Sequence, residues 1–160
     1  MMDLCSELLE ALCGRTFSTA ESCTGGGIGA VFTAVPGSSA VYKGGVISYT
    51  NWVKENILGV NSQILQEMGA VSEETAREMA IGVRRLMRST MAVSVTGIAG
   101  PDTDEFDTPV GTVYIGFADA KRVNVRKFFF HGDRDSIRQQ AVIAALEILL
   151  SECKGEDCVI

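Results

Sequence analysis

Three stretches of the chain carry side chains able to do chemistry, and each follows an apolar, β-prone run. Ser22 stands in Glu21-Ser22-Cys23-Thr24-Gly25-Gly26-Gly27. Tyr49 and Lys54 belong to the second stretch, and Thr96-Gly97-Ile98-Ala99-Gly100-Pro101 is the third. In open α/β sheets ligands bind beyond the carboxyl ends of the strands, so polar and glycine-rich sequence there marks a candidate site. A serine placed after a strand and before a helix can act as a nucleophile. The backbone N–H groups that open the helix can then stabilise an oxyanion or hold a phosphate. Glycines 25–27 let a substrate approach the chain closely. On residue type alone, the same stretch also reads as a strand–helix turn with Ser22 as a cap.

A serine nucleophile needs a base. Lys54 falls on the first turn of a helix that follows Tyr49, at the end of a strand able to neighbour the one before Ser22. An unperturbed lysine, with a pKa of ~10.4, is well under 0.1% neutral at pH 7, so burial or a nearby cation has to depress it by several units. Tyr49 can orient the ammonium or relay the proton. A surface lysine is the plain alternative. His131, the single histidine, with Asp133 two residues on, offers a Ser-His-Asp arrangement instead.

Other motifs are absent. Neither GxGxxG nor GxxxxGK[ST] occurs at these loops, and the SxxK pattern is missing. Arg134 and Arg138, one turn apart, can clamp a phosphate or carboxylate, or else pair with Asp133 and Asp135.

Hydrophobic periodicity supplies the elements that must position these residues. Helices are expected over residues 3–13, 28–35 and 51–58, the last capped by Asn51. Ser72 caps a longer helix whose apolar stripe runs through Ala76, Met79, Ala80, Val83, Leu86 and Met87. A final helix starts near Asp133, and the tail after Leu150 is expected to fray. Strands are expected over 16–20, 45–49, 91–95, 110–118 and 123–130, the last two forming a hairpin. Strands alternating with helices predict an α/β fold with a mixed sheet in a single domain of 160 residues, with its core over about residues 3–150.

Composition narrows the partners. Fourteen basic against twenty acidic residues leave a net charge of −6, which argues against a nucleic-acid polymer but not against a small anion held by local donors. Five cysteines without a CxxC pair point to a reducing cytoplasm and away from zinc. The N-terminus lacks the basic residues of a signal peptide, no run reaches a membrane span, and Cys158 is third from the end rather than in a prenylation box. A cytoplasmic protein is expected.

Seven segments then stand in register. They are 19–26, Pro36-Gly37-Ser38-Ser39, 45–51 with Lys54, 69–73, 96–101, Pro109-Val110-Gly111-Thr112-Val113, and Gly132-Asp133-Arg134. Together they resemble the CinA C-terminal domain family, over about residues 3–150. The resemblance implies a three-layer α/β/α domain and nicotinamide-nucleotide amidase activity. That reaction hydrolyses the carboxamide of nicotinamide mononucleotide to nicotinate mononucleotide and ammonia in pyridine-nucleotide recycling, without cofactor or metal. It also implies Ser22 as nucleophile, Lys54 as base, Tyr49 as assisting hydroxyl, and a homo-oligomer.

With that chemistry, N–H groups around Thr24, Gly25 and Gly26 are expected to hold the oxyanion. Loop 96–101 (Thr96, Gly97, Ala99, Gly100), Arg134 and Arg138 are the candidates for substrate contacts. Larger family members carry an N-terminal domain for nucleotide pyrophosphate chemistry that this sequence lacks, so a stand-alone form is expected. A non-catalytic nucleotide-binding or adaptor module linked to competence or DNA repair is the alternative. The loop after Pro101 departs from the family pattern: Thr103-Asp104 replaces a Gly-Gly pair and Thr108 replaces a lysine. The loop is acidic, and against a substrate phosphate its charge would weaken binding.

Overall fold

A computed structural model describes residues 1–155. Five strands form one mixed sheet: β1 (Phe17–Glu21), β2 (Tyr42–Ile47), β3 (Met91–Gly97), β4 (Thr112–Ala118) and β5 (Val123–Phe129), in the order β2-β1-β3-β4-β5. The first three strands of that order are parallel, and β4 and β5 continue antiparallel. Helices α1 (Met2–Leu12), α2 (Gly27–Thr33) and α6 (Arg134–Lys154) cover one face. Helix α5 (Glu73–Met87) covers the other, giving the three layers.

Strand alternation sorts the side chains between the two faces. Toward α1, α2 and α6 the sheet presents large residues, among them Phe17, Val93, Val95, Ile115 and Phe117, packed on Leu8, Phe32, Leu146 and Leu149. Toward α5 it presents Ser18, Ala20, Ala92, Ser94 and Gly116, which let the helix lie close. Their buried hydroxyls are satisfied: Ser94 Oγ donates to Ala76 O at 2.6 Å, and Ser18 Oγ lies 2.7 Å from Ser89 Oγ. Ala20, Met79, Val83 and Ala92 join Leu58, Val60 and Leu65 in a second apolar cluster there.

The caps follow local chemistry with one exception. Ser72 Oγ accepts from Thr75 N–H at 3.1 Å, and Asp133 Oδ1 accepts from Ser136 N–H at 2.9 Å, as N-caps do. Helix α3 (Asn51–Asn56) is capped by Thr50 rather than Asn51: Thr50 Oγ1 takes the Val53 N–H at 3.4 Å. The stretch after it is not one helix to residue 58. The chain turns at residues 57–58, and α4 (Ser62–Glu67), which periodicity did not reveal, starts behind an Asn61 cap. Strand β2 begins three residues earlier than expected, where Tyr42 pairs with Phe17 of β1, and ends at Ile47 rather than at residue 49.

Helix α6 does not fray after Leu150. It continues to Lys154, with Cys153 buried and Lys154 paired to Glu7 of α1. The remainder of the expected frayed tail, with Cys158, lies outside the described residues. Among the described residues no helix is long and apolar enough to cross a membrane.

Candidate active site

Strand β1 sits between β2 and β3, and its carboxyl end carries Ser22. The Ser22 N–H extends the β1–β3 ladder by donating to Val95 O at 2.9 Å, while Ser48 N–H donates to Glu21 O at 2.8 Å on the β2 side. Ser22 is thereby clamped between two strand ends. After Ser48 the chain turns into α3, whose Lys54 points back beneath the turn. Lys54 Nζ donates to Ser22 Oγ at 2.9 Å and to Ser48 O at 2.6 Å. Its side chain is 1% exposed, and loss of hydration lowers its pKa from 10.5 to about 8.

The turn that carries Ser22 is held from behind. The buried Glu21 carboxylate accepts N–H groups of Gly26 (3.1 Å), Ile28 (3.1 Å) and Gly29 (3.0 Å), so an internal anion already faces the start of α2. Arg138 Nε donates to Cys23 O at 3.0 Å and Nη2 to Thr24 O at 3.3 Å. Gly25 and Gly26 have φ of 61° and 96°, a backbone region that side chains with a Cβ disfavour. Their glycines serve the turn's conformation. Gly25 N–H is also taken up, by Ser22 O at 3.1 Å. Among the described residues, the N–H groups of Cys23 and Thr24 take no hydrogen-bond acceptor.

In front of Ser22 opens a cavity of about 460 Å³. Ser22, Cys23 and Lys54 line one side, and Thr96, Gly97, Ala99 and Gly100 line another. Tyr49, Arg134 and the acidic residues Asp102, Asp104 and Glu105 complete the wall. Arg134 Nη1 donates to Gly100 O at 2.5 Å and Nη2 to Tyr49 Oη at 3.4 Å; it has no ion pair among the described residues.

The structure thus brings Ser22, Lys54, Tyr49, Thr96, Gly97, Ala99, Gly100 and Arg134 around one cavity. It does not bring Thr24, Gly25, Gly26 or Arg138 to its wall. Arg134 and Arg138 form no joint clamp, because Arg138 grips the Ser22 turn from the other side. Tyr49 is 60% exposed and bonded to Arg134, not to Lys54 or Ser22. The Thr96 hydroxyl is committed to Ala70 O at 2.7 Å. His131 is exposed and outside the cavity, and Asp133 is spent as a cap, so the Ser-His-Asp arrangement does not form. Cys23 lies beside the serine, but burial pushes its thiol up to about 11, leaving it protonated at neutral pH.

Two contributors escaped residue-type reasoning. The Ser48 carbonyl aims Lys54, and a carbonyl carries no sequence signal. Glu21 had a signal, an acid just before a helix start, which could have identified it as the partner of those N–H groups.

The sequence and the architecture both have relatives among known proteins. The model of the CinA C-terminal domain matches residues 2–153. A CinA-like protein of Endomicrobium trichonymphae is 50% identical over 135 residues, covering 84% of this chain and 32% of its own length. A CinA-like protein of Geobacter sulfurreducens is 48% identical over 136 residues, covering 85% of this chain and 33% of its own length. The chain therefore spans about one third of the length of the curated relatives it matches. Among solved structures, a CinA superfamily protein from Klebsiella pneumoniae superposes with a TM-score of 0.94 at 32% identity, over 97% of this chain and 98% of that one. A competence/damage-inducible protein from Agrobacterium tumefaciens gives 0.90 at 38% identity, over 94% and 93%. With the family model matched almost from end to end and a fold that superposes along the whole chain, this protein belongs to the CinA C-terminal domain family.

Proposed function

We propose that this chain is a nicotinamide-nucleotide amidase that hydrolyses the carboxamide of nicotinamide mononucleotide through a Ser22 nucleophile and a Lys54 base. The observation that carries this reading is the 2.9 Å contact between Ser22 Oγ and a buried lysine whose pKa is lowered to about 8. A lysine with that pKa is roughly one-tenth neutral at pH 7, enough to serve as a base. In that form one of its N–H bonds stays on Ser48 O, and its lone pair faces the serine hydroxyl.

Lys54 then takes the Ser22 proton as Oγ attacks the amide carbon. The unoccupied N–H group of Cys23, on the cavity wall beside the nucleophile, is the donor for the oxyanion. The Lys54 ammonium returns the proton to the leaving nitrogen, ammonia departs, and an acyl-Ser22 ester remains. Water, deprotonated by Lys54, attacks the ester and releases the carboxylate and free serine. Arg134, unpaired at the rim, supplies the cation for the phosphate, and Tyr49 steadies it.

The test is ammonia release from nicotinamide mononucleotide by wild type beside Ser22→Ala. Wild type is expected to release ammonia, and the variant to be slower by a factor of about 10³ or more with an unchanged far-ultraviolet spectrum. Silence from folded wild type would move the reading to a binding module. Equal rates would remove Ser22 from the mechanism. Arg134→Gln is expected to raise KM for the nucleotide about tenfold or more with a smaller change in kcat, as loss of a charged substrate contact does. An unchanged KM would place the phosphate elsewhere.

A further inference from the structure

The same cavity carries more negative than positive charge at its outer end. Arg134 is bonded to Gly100 O, and Asp102 follows two residues later on the same wall, with Glu105 beyond it. Ser22 is buried and fixed to Val95 O, whereas Asp102 and Glu105 are exposed. The carboxylates therefore share the wall with Arg134, which has no ion pair among the described residues.

They are also held there. Asp104 pins its own loop: Oδ1 accepts from Phe106 N–H at 3.1 Å and Thr108 N–H at 2.9 Å, and Oδ2 accepts from Thr108 Oγ1 at 3.0 Å. The Phe106 ring covers Gly69, where a Cβ would meet it at 2.8 Å. Asp102 and Glu105, on this pinned loop, are exposed and have no hydrogen bond or ion pair among the described residues, so no direct partner neutralises their charge.

Resting on the amidase reading, we propose that Asp102 and Glu105 are specificity-determining residues that oppose a substrate phosphate. The substrate class this cavity favours is then the phosphate-free N-ribosyl pyridine carboxamide at least as much as its 5′-phosphate. A phosphate monoester brings a charge of about −1.5 to −2 at pH 7. Placed on Arg134, it meets two uncompensated carboxylates, and the attraction of a single guanidinium is offset by their repulsion. The riboside, whose pyridinium ring is positive, meets no such penalty.

The experiment compares kcat/KM for ammonia release from nicotinamide riboside and nicotinamide mononucleotide, at low and high salt, in wild type and the Asp102→Asn/Glu105→Gln double variant. Wild type is expected to use the riboside at least as well as the nucleotide. The double variant should gain about fivefold or more on the nucleotide at low salt, stay within about twofold on the riboside, and lose much of the gain as salt screens the charges. Both positions are exposed, so thermal stability should be unchanged, and a melting curve checks this. A wild-type preference of tenfold or more for the nucleotide overturns the proposal but leaves the amidase reading intact, as does a double variant that shifts both substrates equally. No ammonia from either substrate overturns the amidase reading and this proposal with it.

Discussion

Lys54→Met is expected to stop turnover and, at the same time, to stabilise the protein. The lysine sits 1% exposed with its pKa lowered to about 8 from 10.5. At 1.36 kcal/mol per unit, that difference means the ammonium costs about 3 kcal/mol at neutral pH. The sign follows from proton counting. Below pH 8 both folded and unfolded chains hold the proton and the full cost is present. Between 8 and 10.5 the unfolded chain binds more protons than the folded one, so stability rises with pH until the cost is gone.

Methionine fills the space with an unbranched apolar chain but leaves Ser48 O without its donor, a loss of about 1–3 kcal/mol. The net gain is therefore on the order of 1 kcal/mol, or a melting-temperature rise of about 2–4 °C. Turnover should fall by about 10³ or more. The wild-type rate should climb with pH along a limb centred near 8, where the neutral amine appears. Lys54→Arg, permanently charged, should also be inactive. A melting curve, urea midpoints from pH 7 to 10 and a pH–rate profile check all of this. An active Lys54→Met variant would end the Ser/Lys mechanism, and a wild-type profile flat from pH 6 to 9 would count against Lys54 as the base.

The second large effect concerns the support of that lysine. Gly82→Ala on α5 places a Cβ 1.9 Å from Leu58 O and 2.9 Å from Leu58 C, both backbone atoms with no side chain to swing aside. Alanine would otherwise favour the helix by about 1 kcal/mol. Here it must push α5 away from the chain leaving α3, opening the cluster of Leu58, Val60, Met79 and Val83. A net loss of about 2–4 kcal/mol is expected, read as a lower urea midpoint. The displaced segment includes Val60, whose N–H donates to Lys54 O at 3.0 Å, so kcat should fall along with stability. Unchanged stability would show that the helix and the loop separate at no cost.

Much of this protein is legible without its structure. Ser72 and Asp133 announce helix starts because their side chains take orphan N–H groups a few residues away, an interaction local to the sequence. The stripe that begins at Ala76, Met79, Ala80 and Val83 identifies α5 by period alone, although Leu86 at its end is exposed, outside the sheet-facing cluster. The β-prone runs at 110–118 and 123–130, joined by a short turn, likewise mark a hairpin. Ser22 and Lys54 enter the shortlist because each follows a strand end and each has a chemistry available to its type.

What escaped depends on contacts between distant segments. Nothing near Tyr49 says that its hydroxyl meets Arg134, 85 residues away, instead of Lys54. Arg138 reads equally well as a phosphate clamp until α6 is laid across the Ser22 turn. Gly25 and Gly26 suggest an open approach to substrate, whereas the backbone there is bent around Glu21. The sequence by itself determined the elements, their faces and the list of reactive side chains, since caps, periods and functional groups act over a few residues. The tertiary structure alone decided which of those side chains meet and how they ionise. A lysine 32 residues from its serine meets it, with a lowered pKa, only when sheet order brings the two strand ends together and packing strips water from its ammonium.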